Sequence, residues 1–160
     1  MILTALIHNY PLITAFVSML IAQIIKFPLL YIMEKKLEPM IMFSNGGMPS
    51  SHSAFVTSLT TALGIKYGVE SPYFAIATVF ALITMWDAAG VRYQASEHAR
   101  ILNILVQDFQ NLVEHVKYKT KRTRNQVPLK ELLGHKPFEV LVGSFLGFLI
   151  AFIIKYWVYQ

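Results

Sequence analysis

YPLITAFVSMLIAQIIKFPLLYIM, residues 10–33, holds roughly the twenty apolar residues that cross a bilayer core, interrupted by Gln23 and Lys26. This stretch sets the class of the chain, and the composition agrees. Of the 160 residues, 55% are hydrophobic and 14% charged, against about 25% charged in soluble domains. A chain of this length argues for one domain. The formal charge of +5 bears on membrane topology and anionic lipids rather than on nucleic acid, and no aromatic–basic interleaving suggests an RNA platform. Cysteine is absent, which excludes disulfides and thiolate metal sites. The first basic residue is Lys26, so no signal peptide is expected.

Outward from this span, residues 33–40 (MEKKLEPM) form a charged connector, followed by SNGGMPSSHS at 44–53. Residues 53–67 are apolar but short for a crossing, and rich in Ser and Thr. They predict a helix packed among others. Residues 73–91 and 137–158 are clear spans, the last with Pro137 in its first turn. Ile101, Leu102, Leu105, Phe109, Leu112, Val113 and Val116 recur at helical spacing among polar residues. They predict an amphipathic surface helix over about 99–118. Residues 119–130, opening with KTKRTRNQ, read as a basic loop. The expected fold is an all-α, multi-pass membrane bundle: a single domain of four to five embedded helices and one amphipathic surface helix.

Nine of the fourteen Lys and Arg residues lie between Arg92 and Lys136, and Lys35 and Lys36 sit in the first connector. The positive-inside rule places these segments in the cytoplasm of a cell-membrane protein. The loop at 44–53, Lys26, Asp87 and Arg92, and His135 then converge on one face.

Each of these residues carries two readings. Lys26 either snorkels to the interface or faces a polar pocket, since a charge inside a span is costly otherwise. Gly47, Ser50 and Ser51 either cap a helix after a glycine turn or bind a phosphate at a helix start. His52 stands at that start. His135 and Glu139 are four apart at a helix head, where the carboxylate can orient one imidazole nitrogen and leave the other as a nucleophile or base. The bland alternative is a cap histidine beside a surface Glu. Arg92 is either a membrane anchor or a fork for phosphate oxygens, with Asp87 as its ion-pair partner. Two histidines, one backed by a carboxylate, with Lys, Arg and serines, suit phosphate-ester cleavage without a metal: one histidine attacks phosphorus and the other protonates the leaving oxygen.

GGMPSSHSAFVTSL (46–59), DAAGVRYQ (87–94) and LGHKPFEVLVGSFLG (133–147) together resemble the divergent branch of the type-2 phosphatidic acid phosphatase family, related to acid phosphatases and vanadium haloperoxidases. The resemblance covers Gln23 to about Gly147. It implies a helical, metal-independent protein that works through a phosphohistidine and needs no cofactor. By position, Lys26 is similar to the family's phosphate-binding lysine, Ser50 to its motif serine, His52 to its acid and His135 to its nucleophile. Glu139 stands where the family has the orienting Asp. Ser51 replaces a glycine, the Arg-Pro after the lysine is missing, and Pro128 and Leu129 replace Ser-Arg. Arg92 and Lys130 are the available substitutes for the lost arginines.

These readings lead to an integral membrane phosphatase for a lipid phosphate or isoprenyl diphosphate, with catalytic His135, His52 and Glu139 and phosphate-binding Lys26, Ser50, Ser51, Gly47 and Arg92. The alternative is a protein that keeps the scaffold and binds or transports a phosphorylated lipid without turnover. Membrane lipid is the expected partner and nucleic acid is not. The small-residue face of GSFLG (143–147) serves either a homo-oligomer or packing inside the bundle.

Overall fold

The computed structural model describes residues 8–34, 47–116, 129 and 134–158. The expectations for Gly46, the first connector, most of the basic loop, Pro128 and Lys130 fall outside these residues. The described chain is helical: α1 (Tyr10–Glu34), α2 (Ser51–Tyr67), α3 (Pro72–Ala89), α4 (Val91–Val116) and α5 (Pro137–Val158). A backbone in hydrocarbon must satisfy its own polar groups, and apolar runs of this length do so as helices. Among the described residues three stretches, Tyr10–Leu29, Pro72–Leu112 and Pro137–Val158, are long and apolar enough to cross a membrane. α2, at 17 residues, falls short of that length and forms the centre of the bundle, packed against α1, α3 and α5.

Small residues explain this centrality. A side chain at Gly143 would strike the backbone of Ser50, and one at Gly147 the backbone of Ala54. The GSFLG face is therefore spent inside the bundle, holding α5 against the start of α2. Interhelical hydrogen bonds add direction: Tyr10 Oη donates to the Ala151 carbonyl at 2.9 Å, Ser18 Oγ to Ala54 at 3.2 Å, and Thr60 Oγ1 to Ala77 at 3.2 Å. Each such bond contributes about 0.6 kcal/mol in a membrane interior. Phe16, Leu20 and Ile24 on α1, Ile76, Phe80 and Ile83 on α3, and Phe145 and Phe152 on α5 face outward, as lipid-facing surfaces do.

Gly90, at φ −105° and ψ −87°, breaks the chain between α3 and α4. α4 then begins at Val91, earlier than the apolar stripe from Ile101 suggests. Residues 93–100 carry no stripe, but Gln94, Ala95, Glu97 and Arg100 favour helix on propensity. α4 packs on α3 and on no other helix among the described residues, leaving Leu102, Leu105, Phe109 and Leu112 exposed. Asn103 clamps the end of the basic segment: its side chain donates to the Leu129 carbonyl and accepts the Leu129 N–H, both at 3.0 Å.

Candidate active site

The antiparallel arrangement brings the C-terminal part of α1, the start of α2, the end of α3 and the start of α5 to one end of the bundle. Buried positions on α1 recur at Tyr10, Thr14, Ser18, Ala22 and Lys26, one face at i, i+4 spacing. Lys26 is therefore carried inward by the same stripe that packs α1. It is fully buried, and its Nζ has no hydrogen-bond partner among the described residues. The snorkelling reading fails on this point, because a snorkelling ammonium ends in water. Lys26 lies within Coulombic reach of Glu139 and His52.

His135 is 2% exposed. Its backbone N–H donates to the Ala88 carbonyl at the end of α3, at 3.1 Å. Gly134 lies so close to the Arg92–Tyr93 backbone that a side chain there would collide with it. The loop ahead of α5 is thus bolted to the α3–α4 junction. His135 Nδ1 lies 3.1 Å from Glu139 Oε2, and the same oxygen accepts the Lys136 N–H at 3.3 Å. A carboxylate only accepts, so the ring proton sits on Nδ1 and Nε2 carries the lone pair. Nε2 is buried with no partner among the described residues. A basic nitrogen held in a fixed direction and left unengaged is the state a nucleophile requires.

His52 closes the other side, its ring centroid 6.0 Å from that of His135. It stands exposed at the polar end of α2, outside the three spans. Partial burial, then the charges of His135, Arg92 and Lys26, push its pKa below the usual imidazole value. Three other potential cations thus act on His52, a field that favours an anion.

Ser50 is the N-cap of α2. Its Oγ accepts the Ser53 N–H at 3.3 Å and the Ser53 hydroxyl at 2.9 Å, which leaves its own proton free to donate. The Ser50 N–H donates to the Glu139 carbonyl at 3.1 Å, tying the cap to the helix that carries the His135–Glu139 pair. Ser51 is buried in the first turn. The N–H groups of Ser51 and His52 find no acceptor among the described residues, as expected of the first turn of a helix. Gly47, at φ +91°, makes a turn into the cap that a side chain would strain. The loop caps the helix, and the first-turn N–H groups remain available as donors.

Arg92 is placed less directly. Its Nε meets Asp87 Oδ2 at 2.6 Å, and the two side chains are 53% and 40% exposed. The Asp87 partnership is the bland one, although the guanidinium keeps further donors and acts on His52. Among the described residues no three His, Asp or Glu side chains gather as a metal-holding group. The backbone groups of Ala88 and Glu139 and the glycines at 134, 143 and 147 also build the site. Ala88 and Gly134 lie in the motifs that carry the family resemblance but were given no role there, and the GSFLG face was left with two uses open.

A family model described as the Divergent PAP2 family matches residues 7–150, and the chain belongs to that family. It is also 43% identical over 153 residues to a protein of Bacillus subtilis (strain 168) described as the uncharacterized membrane protein YuiD. That match covers 94% of this chain and 97% of the relative. No solved structure matches.

Proposed function

We propose that this membrane protein is a phosphatase for a lipid phosphate or diphosphate, acting by histidine nucleophilic catalysis without a metal. The carrying observation is that two fully enclosed polar atoms at the same end of the bundle, Lys26 Nζ and His135 Nε2, lack partners among the described residues. Burying such groups empty is costly, and a phosphoryl group would satisfy both. In this reading Nε2 of His135 attacks phosphorus as the bond to the leaving oxygen breaks. His52 gives that oxygen its proton. Glu139 stabilises the imidazolium, and Lys26, the Ser50 hydroxyl and the N–H groups of Ser51 and His52 hold the phosphoryl oxygens. Water then attacks the phosphohistidine, with His52 taking the proton back. The incoming dianion offsets the cations that disfavour the His52 proton.

α1 ends at Glu34 on the side of the site, directly before Lys35 and Lys36 in the sequence, which supports a cytoplasmic orientation. A second reading, binding or transport without turnover, draws on Arg92: the nearest substitute for the family's phosphate arginines is exposed and already paired with Asp87. The test is phosphate release by purified protein in EDTA across lipid phosphates and diphosphates, beside His135→Ala. Release lost in the variant supports the enzyme. No release by folded protein that binds the same lipids supports the second reading.

A further inference from the structure

α2 and α3 run antiparallel, and their heights can be matched by counting from the site. His52 on α2 is level with Asp87 on α3. Seven residues further from the site are Leu59 and Phe80, and eleven residues further are Leu63 and Ile76. His52, Leu59 and Leu63 share one face of α2, and Tyr73, Ile76, Phe80, Ile83 and Asp87 share one face of α3, by helical spacing. The parts of these faces farther from the site line a groove. Leu59, Leu63, Tyr73, Ile76, Ala77 and Phe80 enclose about 280 Å³ between α2 and α3. A separate recess of about 450 Å³, lined by Leu82, Ile83, Trp86 and Asp87 of α3 and Val91 of α4, lies nearer the site on α3 and includes no residue of α2. α1 and α3 make no contact among the described residues, so α2 is open to the surroundings on this side.

We infer that the groove between α2 and α3 seats the hydrocarbon tail of the phosphorylated lipid whose head group the site takes. The inference rests on reading the site as a phosphate-binding one, and it holds with or without turnover. Its apolar lining starts about 10 Å below His52 and reaches about 17 Å below it at 1.5 Å per residue. One leaflet of the hydrocarbon core is about 15 Å deep. A lipid standing in its leaflet with its phosphate at His52 would lay its tail along Leu59 and Leu63. At the far end the Tyr67 and Tyr73 rings meet at 5.2 Å and Gly64 lets the Phe74 ring close in, 3.0 Å from where a Cβ would stand. That closure marks where the groove stops. Because the tail passes from one hydrocarbon medium to another, the groove adds little affinity. Its effect is on position: it aims the phosphate at His135.

The test uses the full protein in nanodiscs with a phosphatidate carrying a photoreactive diazirine at the tail end, and cross-linked peptides are mapped. The expected result is labelling concentrated in residues 59–63 and 73–80, suppressed by excess orthovanadate. It should fall several-fold in Ile76→Trp, which fills the groove from an exposed position. Labelling spread evenly over the outward faces of α1, α3 and α5 and indifferent to orthovanadate would overturn the inference, as would a focused label that Ile76→Trp leaves unchanged. Phosphate release is read in the same preparation. Focused labelling without release keeps the tail seat and removes the enzyme reading; release with diffuse labelling does the reverse.

Discussion

Lys26→Met separates a functional cation from a structural one. The lysine is fully enclosed with its ammonium unpartnered among the described residues. A Lys at the centre of a membrane helix costs about 2.5–3.5 kcal/mol on insertion scales. Lys26 lies near the polar end of its span, and Glu139 is within Coulombic reach, so we expect a cost below that range, about 1–2 kcal/mol. Met keeps the volume of the stem and removes the charge. The empty variant should therefore be more stable than the wild type, by about 2–8 °C in Tm at about 2–4 °C per kcal/mol for a chain of this size. The same change removes the buried cation from the phosphoryl site. Losing one such electrostatic contact costs about 10²–10³ in rate. Thermal unfolding in detergent, with and without orthovanadate, reads both effects. The wild type should gain stability with the anion, and the variant should start higher and gain none. If empty Lys26→Met melts below the wild type, the ammonium is a structural group and the phosphate-site reasoning fails.

Glu139→Gln should lower phosphate release by about 10² or more while His135→Ala abolishes it, because the charge that holds the Nδ1 tautomer is lost; steady-state rates at saturating lipid check this. Gly143→Ala should cost about 1–3 kcal/mol and much of the activity, since its Cβ strikes Ser50 backbone that has no room to yield, a Tm and rate comparison. His52 has its pKa lowered in the fold, so on acidification the unfolded chain takes up the proton first. Stability should fall as pH drops through about 6.5, and His52→Gln should flatten that dependence in Tm against pH. Asp87→Asn breaks an exposed pair worth at most about 1 kcal/mol and frees Arg92. It should leave Tm nearly unchanged and tighten orthovanadate binding if the guanidinium reaches the anion, an isothermal titration measurement.

The bundle was legible because its signal is coarse: apolar runs such as 137–158 are helices in lipid whatever packs against them. The pairing of His135 with Glu139 was also legible from their spacing of four, although His135 stands two residues ahead of α5 and Glu139, in the first turn, reaches back to it. The inward direction of Lys26 was not. It depends on the stripe through Thr14, Ser18 and Ala22 being the packed face rather than the lipid face, and all of α1 is too apolar to tell the two apart. The start of α4 at Val91 escaped the periodicity, because nothing buries residues 93–100 in a regular stripe. The contributions of Ala88 and Gly134 were invisible for a different reason. They act through backbone atoms, and only the docking of the loop onto the α3–α4 junction makes them part of the site.

The unequal lengths of the helices bear on what kind of phosphate would reach this site. α1 is 25 residues, about 37 Å, and α2 is 17, about 26 Å, at 1.5 Å per residue. Ser18 on α1 bonds to the Ala54 carbonyl, three residues into the antiparallel α2, so α2 starts near the level of Ile21 while α1 continues for about thirteen more residues, about 20 Å, to Glu34. The start of α2 is recessed behind α1 toward the hydrocarbon. His52, Ser50 and His135 sit at that recessed level, bordered by the exposed apolar side chains of Phe27 and Tyr31 on α1 and Trp86 on α3. A water-soluble phosphate ester would have to shed hydration among these groups without a compensating apolar contact. An amphiphile already has its phosphate at this depth and its tail beside α2 and α3. The short central helix thus favours a lipid head group by placement, before any residue of the site makes a chemical distinction.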